Sequence, residues 1–237
     1  MGYVVNKRRF KQSGLPFLLP YSNKSKVITY LTVDNFNGSD STTWGNDYTC
    51  SMYKSSGAWE LTSDGKSICV YNPRGKTLST TITAPNKTYN FTVYIVAQYS
   101  GDNLSLTVRS YGSPSYNASI FYDISGSSLN QLGSNFNNWT SGNYSYFNGT
   151  TAYSAFQAYG ISYTRNARAI HILNDSSVVN FPRDGNSSYP WDFGFKQNNS
   201  TKHSEVYIKL LAIVSEAESS TVLQNNINYI RNQLHLT

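Results

Sequence analysis

Charge is scarce in this sequence. Asp, Glu, Lys and Arg together supply only 14% of 237 residues. Disorder needs high charge and few aromatics, whereas aromatics here reach 15%, led by 20 tyrosines. A folded chain rich in β-strands and polar turns is therefore expected. Long apolar runs are missing as well. Nothing approaches the roughly 18 apolar residues of a membrane-spanning helix, so no membrane insertion is expected. The opening MGYVVNKRRFKQSG lacks the apolar segment of about 7–15 residues of a secretion signal. Asn6 stands where myristoylation needs Ser or Thr.

Cysteine is limited to Cys50 and Cys69, in YTCSMY and SICVY. With no histidine beside either, a structural zinc site is not expected. A buried pair of thiols is the simpler expectation. A disulfide stays open and needs Cα atoms within about 7 Å.

Acidic residues are absent before Asp34, while Lys7, Arg8, Arg9, Lys11, Lys24 and Lys26 precede it. These six account for the whole net charge of +6, leaving 13 of the 19 basic residues against 13 acidic ones. A nucleic-acid-binding face needs a basic stripe on the fold itself, so a nucleic-acid partner is not expected. Residues 1–26 read as a basic, extended arm: a solvated tail, an arm that docks into a partner, or an electrostatic tether. Leu15-Pro-Phe-Leu-Leu-Pro20 is apolar but broken by prolines, so it should lie extended against something. As a docking arm, it would guide with Lys7, Arg8, Arg9 and Lys11. It would anchor with Phe17 and Leu18 in another protein of an assembly.

The body, 27–237, reads as many short strands with Ser-Gly, Asp-Gly and Asn-Pro-Arg-Gly turns between them. That pattern implies an all-β, two-sheet antiparallel sandwich or barrel. Residues 88–98, TYNFTVYIVAQ, alternate cleanly. Tyr89, Phe91, Val93, Ile95 and Ala97 fall on one face; Asn90, Thr92, Tyr94, Val96 and Gln98 fall on the other. Residues 205–214, EVYIKLLAIV, are apolar on both faces, as a central strand is. Ser215 and Glu218 match a capping box. It would open a helix over about 216–235, with Leu223, Ile227, Ile230 and Leu234 as its apolar stripe. Residues 133–150 show no clear period and read as a long surface loop or an edge hairpin. Roughly a dozen Asn-x-Ser/Thr sequons occur and read as turn chemistry.

Several stretches are similar to laminin-G-like, concanavalin-A-like jelly rolls. Ile170, Ile172 and Asn174 match an I-x-I-x-x-N-G turn, with Asp175 in place of Gly. Strand 88–98 resembles the family's central strand, and Trp44 with Asp47 resembles an early W-x-D loop. The closing strand and helix, through Asn226 to Ile230, are similar to versions in bacteriophage virion proteins: tail, fibre or head-decoration. The resemblance implies a jelly-roll sandwich with a C-terminal helix. It also implies a virion location, host attachment, homo-oligomers and contact with cell-surface glycans.

The residues argue against catalysis. Retaining glycosidases need two carboxylates about 5–5.5 Å apart, and no strand here carries such a pair. Asp192 stands alone, Glu216 and Glu218 fall in the helix cap, and His171, His203 and His235 have no nucleophile nearby in sequence. Trp44, Trp59 and Trp191 read as core or rim. No Asp-x-Asp cluster supports calcium, and no cofactor or metal is expected. Sugars stack on aromatic rings and bond to amides. Trp139, Tyr144, Tyr146, Asn138 and Asn143 are thus the candidate glycan contacts, with packing under the loop or against a neighbouring subunit as the alternative. Three functions stay open: a non-enzymatic virion structural or attachment protein, a free-standing lectin, and a glycan-cleaving enzyme.

Overall fold

The computed structural model describes residues 18–19, 27–34, 43–44, 50–56, 58–72, 78–83, 90–101, 105–110, 117–123, 131–136, 144–146, 155–164, 168–173, 179–182, 191–197 and 204–236. In chain order the strands begin with β1 (Val27–Thr32), β2 (Thr43–Trp44), β3 (Cys50–Ser56), β4 (Ala58–Leu61), β5 (Ile68–Asn72) and β6 (Leu78–Thr83). They continue with β7 (Phe91–Gly101), β8 (Ser105–Ser110), β9 (Asn117–Asp123), β10 (Gln131–Phe136) and β11 (Tyr144–Tyr146). The last are β12 (Gln157–Thr164), β13 (Arg168–Leu173), β14 (Val179–Pro182), β15 (Trp191–Gln197) and β16 (Ser204–Val214), followed by helix α1 (Ser220–Gln233). The protein is mostly antiparallel β-sheet with one C-terminal helix, as the strand pattern implies.

The strands form two eight-stranded sheets. One has the order β14-β13-β12-β7-β16-β5-β4, with β1 also on β16; the other has the order β11-β10-β9-β8-β15-β6-β3-β2. Cys50 lies in the second sheet and Cys69 in the first, where Cys69 is buried.

β16 is the central strand its composition demands. It pairs with β7 along one side and with β5 and then β1 along the other. A bulge between Ile208 and Leu210 shifts the register at Lys209. Because side chains alternate, the extra residue moves Leu210, Ala212 and Val214 onto the face shared with Tyr94 and Val96 of β7. Leu211 and Ile213 then share the opposite face with Val93 and Ile95, and all four are fully buried.

Helix α1 covers the first of these faces. Leu223, Ile227 and Ile230 are buried against Tyr94, Val96, Ala158, Leu210, Ala212 and Val214, with Leu234 half-buried beside them. Full burial of such side chains contributes about 1.5–3 kcal/mol each. Gly160 of β12 makes the approach possible. A Cβ there would lie 2.7 Å from Leu223 Cδ1 and 3.4 Å from Ile227 Cδ1.

The helix starts later than the capping box implied. Ser219, not Ser215, is the N-cap, its hydroxyl accepting from the Val222 N–H at 3.3 Å. Glu218 does not reach back to Ser215, because its side chain is drawn into the core. At the other end His235 takes a left-handed conformation, φ 50°. The Leu236 N–H donates to the Arg231 carbonyl at 2.9 Å and the His235 N–H to the Asn232 carbonyl at 3.4 Å. This is a Schellman closure, and Leu236 folds back on the same core.

Two leucines of the LPFLLP segment find their surface in this chain. Leu18 and Leu19 are each 1% exposed and join the cluster under the helix with Val27 and Val214. The Leu18 N–H donates to the Tyr30 hydroxyl at 3.1 Å. Leu18 was expected to anchor an arm in a partner. It packs instead in its own body, because that face of β1 and β16 offers the apolar contact the segment needs.

Candidate functional site

The sequence's candidate glycan segment lies at a sheet edge. β10 and β11 form an antiparallel hairpin, with Gly133 opposite Tyr146, Ser134 opposite Ser145 and Asn135 opposite Tyr144. β10 continues onto β9, and β11 is the outermost strand of the second sheet. Tyr144 and Tyr146 thus occupy alternate positions of a three-residue edge strand. Of the two readings for residues 133–150, the described residues 133–136 and 144–146 match the edge hairpin. Trp139, Asn138 and Asn143 fall between the two strands, outside the described residues, as do Lys7, Arg8, Arg9, Lys11 and Phe17.

Elsewhere the described polar groups concentrate under helix α1. Thr92, Tyr94 and Ser162 are buried on the helix side of β7 and β12, where Thr92 faces Ser162 and Tyr94 faces Gly160. The Thr92 hydroxyl donates to the Glu216 carbonyl at 2.8 Å and accepts from the Glu218 N–H at 3.0 Å. The Ser162 hydroxyl donates to the Glu218 carbonyl at 2.6 Å. Tyr94 donates its hydroxyl proton to Glu218 Oε2. Asn226 Nδ2 donates to the Tyr94 oxygen at 2.7 Å and to Glu218 Oε2 at 3.2 Å. Burial, followed by the Glu218 carboxyl beside it, holds the Tyr94 hydroxyl well above the usual phenol range.

This trio escaped the sequence reading, although two signals mark it. Asn226 interrupts the apolar stripe of the helix, and Tyr94 is a polar-tipped residue in the middle of a central strand. Its chemistry is structural: an acid, a phenol and an amide hydrogen-bond to one another behind a helix.

A third polar group lies where β5 begins. Lys209, at the bulge, is half-buried with its Nζ 4.2 Å from the centre of the Phe156 ring. Burial first, and Lys66 second, lower its pKa, while Asp64 opposes them. In the turn before β5, Asp64 accepts from the Thr62 hydroxyl at 2.7 Å and the Lys66 N–H at 3.1 Å, and these bonds lower its own pKa. Among the described residues no cluster of three His, Cys, Asp or Glu side chains is arranged to hold a metal.

With this architecture in place, solved structures supply relatives of the fold. The binding domain of botulinum neurotoxin serotype C1 superposes with a TM-score of 0.60 at 10% identity, over 87% of this chain and 52% of that one. The botulinum neurotoxin DC binding domain in complex with rat synaptotagmin II gives 0.61 at 11% identity, over 87% and 52%. The same toxin's binding domain in complex with SialylT gives 0.58 at 10% identity, over 86% and 52%. The chain thus spans about half the length of these structures. At identity this low the likeness establishes a shared β-rich fold and leaves function to be argued. No family model matches the sequence, and no curated protein matches it.

Proposed function

We propose that this chain is a carbohydrate-binding attachment module with no chemistry of its own. The observation that carries this reading is the similarity to toxin binding domains over 87% of the chain. One such domain was solved with SialylT. The fold alone does not fix a function, so the site must supply the rest. In this reading the two sheets pack face to face as a jelly-roll sandwich. The buried face of Val93, Ile95, Leu211 and Ile213 is turned inward. The β10–β11 hairpin is the binding edge. Trp139, Tyr144 and Tyr146 offer rings to the C–H faces of a sugar, and Asn138 and Asn143 offer amides to its hydroxyls.

The particle-bound form of this reading is a phage virion protein that works as a homo-oligomer on a virion or another extracellular surface. It rests on the charge placement in residues 1–26 and on the resemblance of the closing strand and helix. The neighbours in the solved structures add nothing to it. The burial of Leu18 leaves Lys7, Arg8, Arg9 and Lys11 as the residues that would meet an assembly partner.

A glycan array probed with the purified full chain tests the proposal. Binding to a defined subset of glycans, lost with Trp139→Ala, is expected. A folded protein that binds none of them at high micromolar concentration overturns it.

A further inference from the structure

We infer that the Tyr94–Glu218–Asn226 trio fixes where helix α1 sits on the sheet, and that the protein accepts lower stability for it. The trio also sets where Leu18 and Leu19 seat, because they pack in the cluster that the helix closes.

Leu223, Ile227 and Ile230 lie against a face floored in part by Ala158, Gly160 and Ala212. Apolar burial is non-directional, and small side chains make a smooth floor. Even the socket over Gly160 is shared by Leu223 and Ile227, so it selects poorly between neighbouring positions of the helix. Hydrogen bonds, by contrast, are directional and fail within a few tenths of an ångström and some tens of degrees.

The trio ties together three separate points: the middle of β7, the residue before the N-cap, and the second turn of the helix. Tyr94 and Asn226 are fully buried and Glu218 is 6% exposed. Thr92 and Ser162 hold the backbone of residues 216–218 to the same two strands. A helix shifted or rotated on the sheet would part Asn226 from Tyr94 and Glu218 at once. It would leave buried polar groups unmatched, which is costly. Asn226 sits on the buried stripe just as a polar residue at a core position sets register in a coiled coil, where it trades stability for a single arrangement.

The account has a signature that a simple stabilising network lacks. Removing one member strands the others and should lower stability. Replacing all three by apolar residues of similar shape should recover it while loosening the helix. In the full chain, Asn226→Leu alone should lower Tm. Tyr94→Phe combined with Glu218→Met and Asn226→Leu should melt above that single variant. In the triple variant, amides of 222–233 should exchange at least tenfold faster than in the parent, or show more than one set of resonances. Amides of β7 and β16 should stay protected. The Leu18 amide should lose protection together with the helix. A triple variant that melts at or below Asn226→Leu, or does not fold, shows the trio to be a net stabiliser and overturns the inference. A triple variant with the parent's single resonance set and helix protection also overturns it, because the apolar stripe then suffices.

Discussion

β16 and β11 are the two extremes of this molecule. β16 is eleven residues long, apolar on both faces, and bonded along both sides by β7, β5 and β1. β11 is three residues long, carries two tyrosines around a serine, and among the described residues pairs only with β10. The first region gathers the helix, the leader leucines and a polar network into one core. The second ends the order of its sheet. The contrast teaches that the fold's stability is concentrated at one end of the architecture, and under the proposed function recognition would belong to the other. Substitutions should therefore separate them.

The largest effect is expected at the centre. Ile227 is fully buried between helix and sheet. Ile227→Asp removes that burial and adds an unpaired charge, so a loss of about 5 kcal/mol or more is expected. Thermal melting reads it, and an unchanged Tm would mean that the helix is not docked. Next comes the leader. Leu18→Ala should cost about 3 kcal/mol, measured by urea unfolding. A loss below about 0.5 kcal/mol would return residues 15–20 to the role of a free arm. Truncation before Val27, which the basic leader alone would make harmless, should therefore destabilise the body.

Smaller effects sharpen the same boundary. Gly160→Ala brings a methyl to 2.7 Å from the buried Leu223 Cδ1. It should cost about 1–2 kcal/mol and displace the helix, seen as shifted resonances confined to α1 and β12. His235→Gly relieves a left-handed residue at the helix end and should stabilise by about 0.5–1 kcal/mol. A change of the opposite sign would mean that the His235 side chain contributes more than its backbone costs.

Much of β16's neighbourhood could be read from the chain. The alternation in 88–98 and the two apolar faces of 205–214 identify β7 and β16. The stripe Leu223, Ile227 and Ile230 identifies the buried side of the helix. Three features could not be read. The bulge at Lys209 depends on pairing partners more than 100 residues away in sequence. The N-cap moved to Ser219 because Glu218 found Tyr94 and Asn226, a tertiary contact that local capping rules do not contain. The destination of Leu18 was hidden because an extended apolar segment reads alike whether it docks in cis or in trans. For the candidate site, the edge position of Tyr144 and Tyr146 was legible as one of two options, since short polar-aromatic segments carry too weak a period to decide between loop and strand.

The most direct measurement of the central claim is made on the hairpin. Tyr144→Ala with Tyr146→Ala should keep Tm near that of the parent, within the equivalent of about 1 kcal/mol, because among the described residues β11 is an edge strand paired with β10 alone. Isothermal titration with a glycan that binds the parent on an array should show at least a tenfold loss of affinity, in line with about 1–3 kcal/mol for removed ring contacts. Unchanged affinity in a stable double variant would contradict the account and move recognition away from the β10–β11 edge.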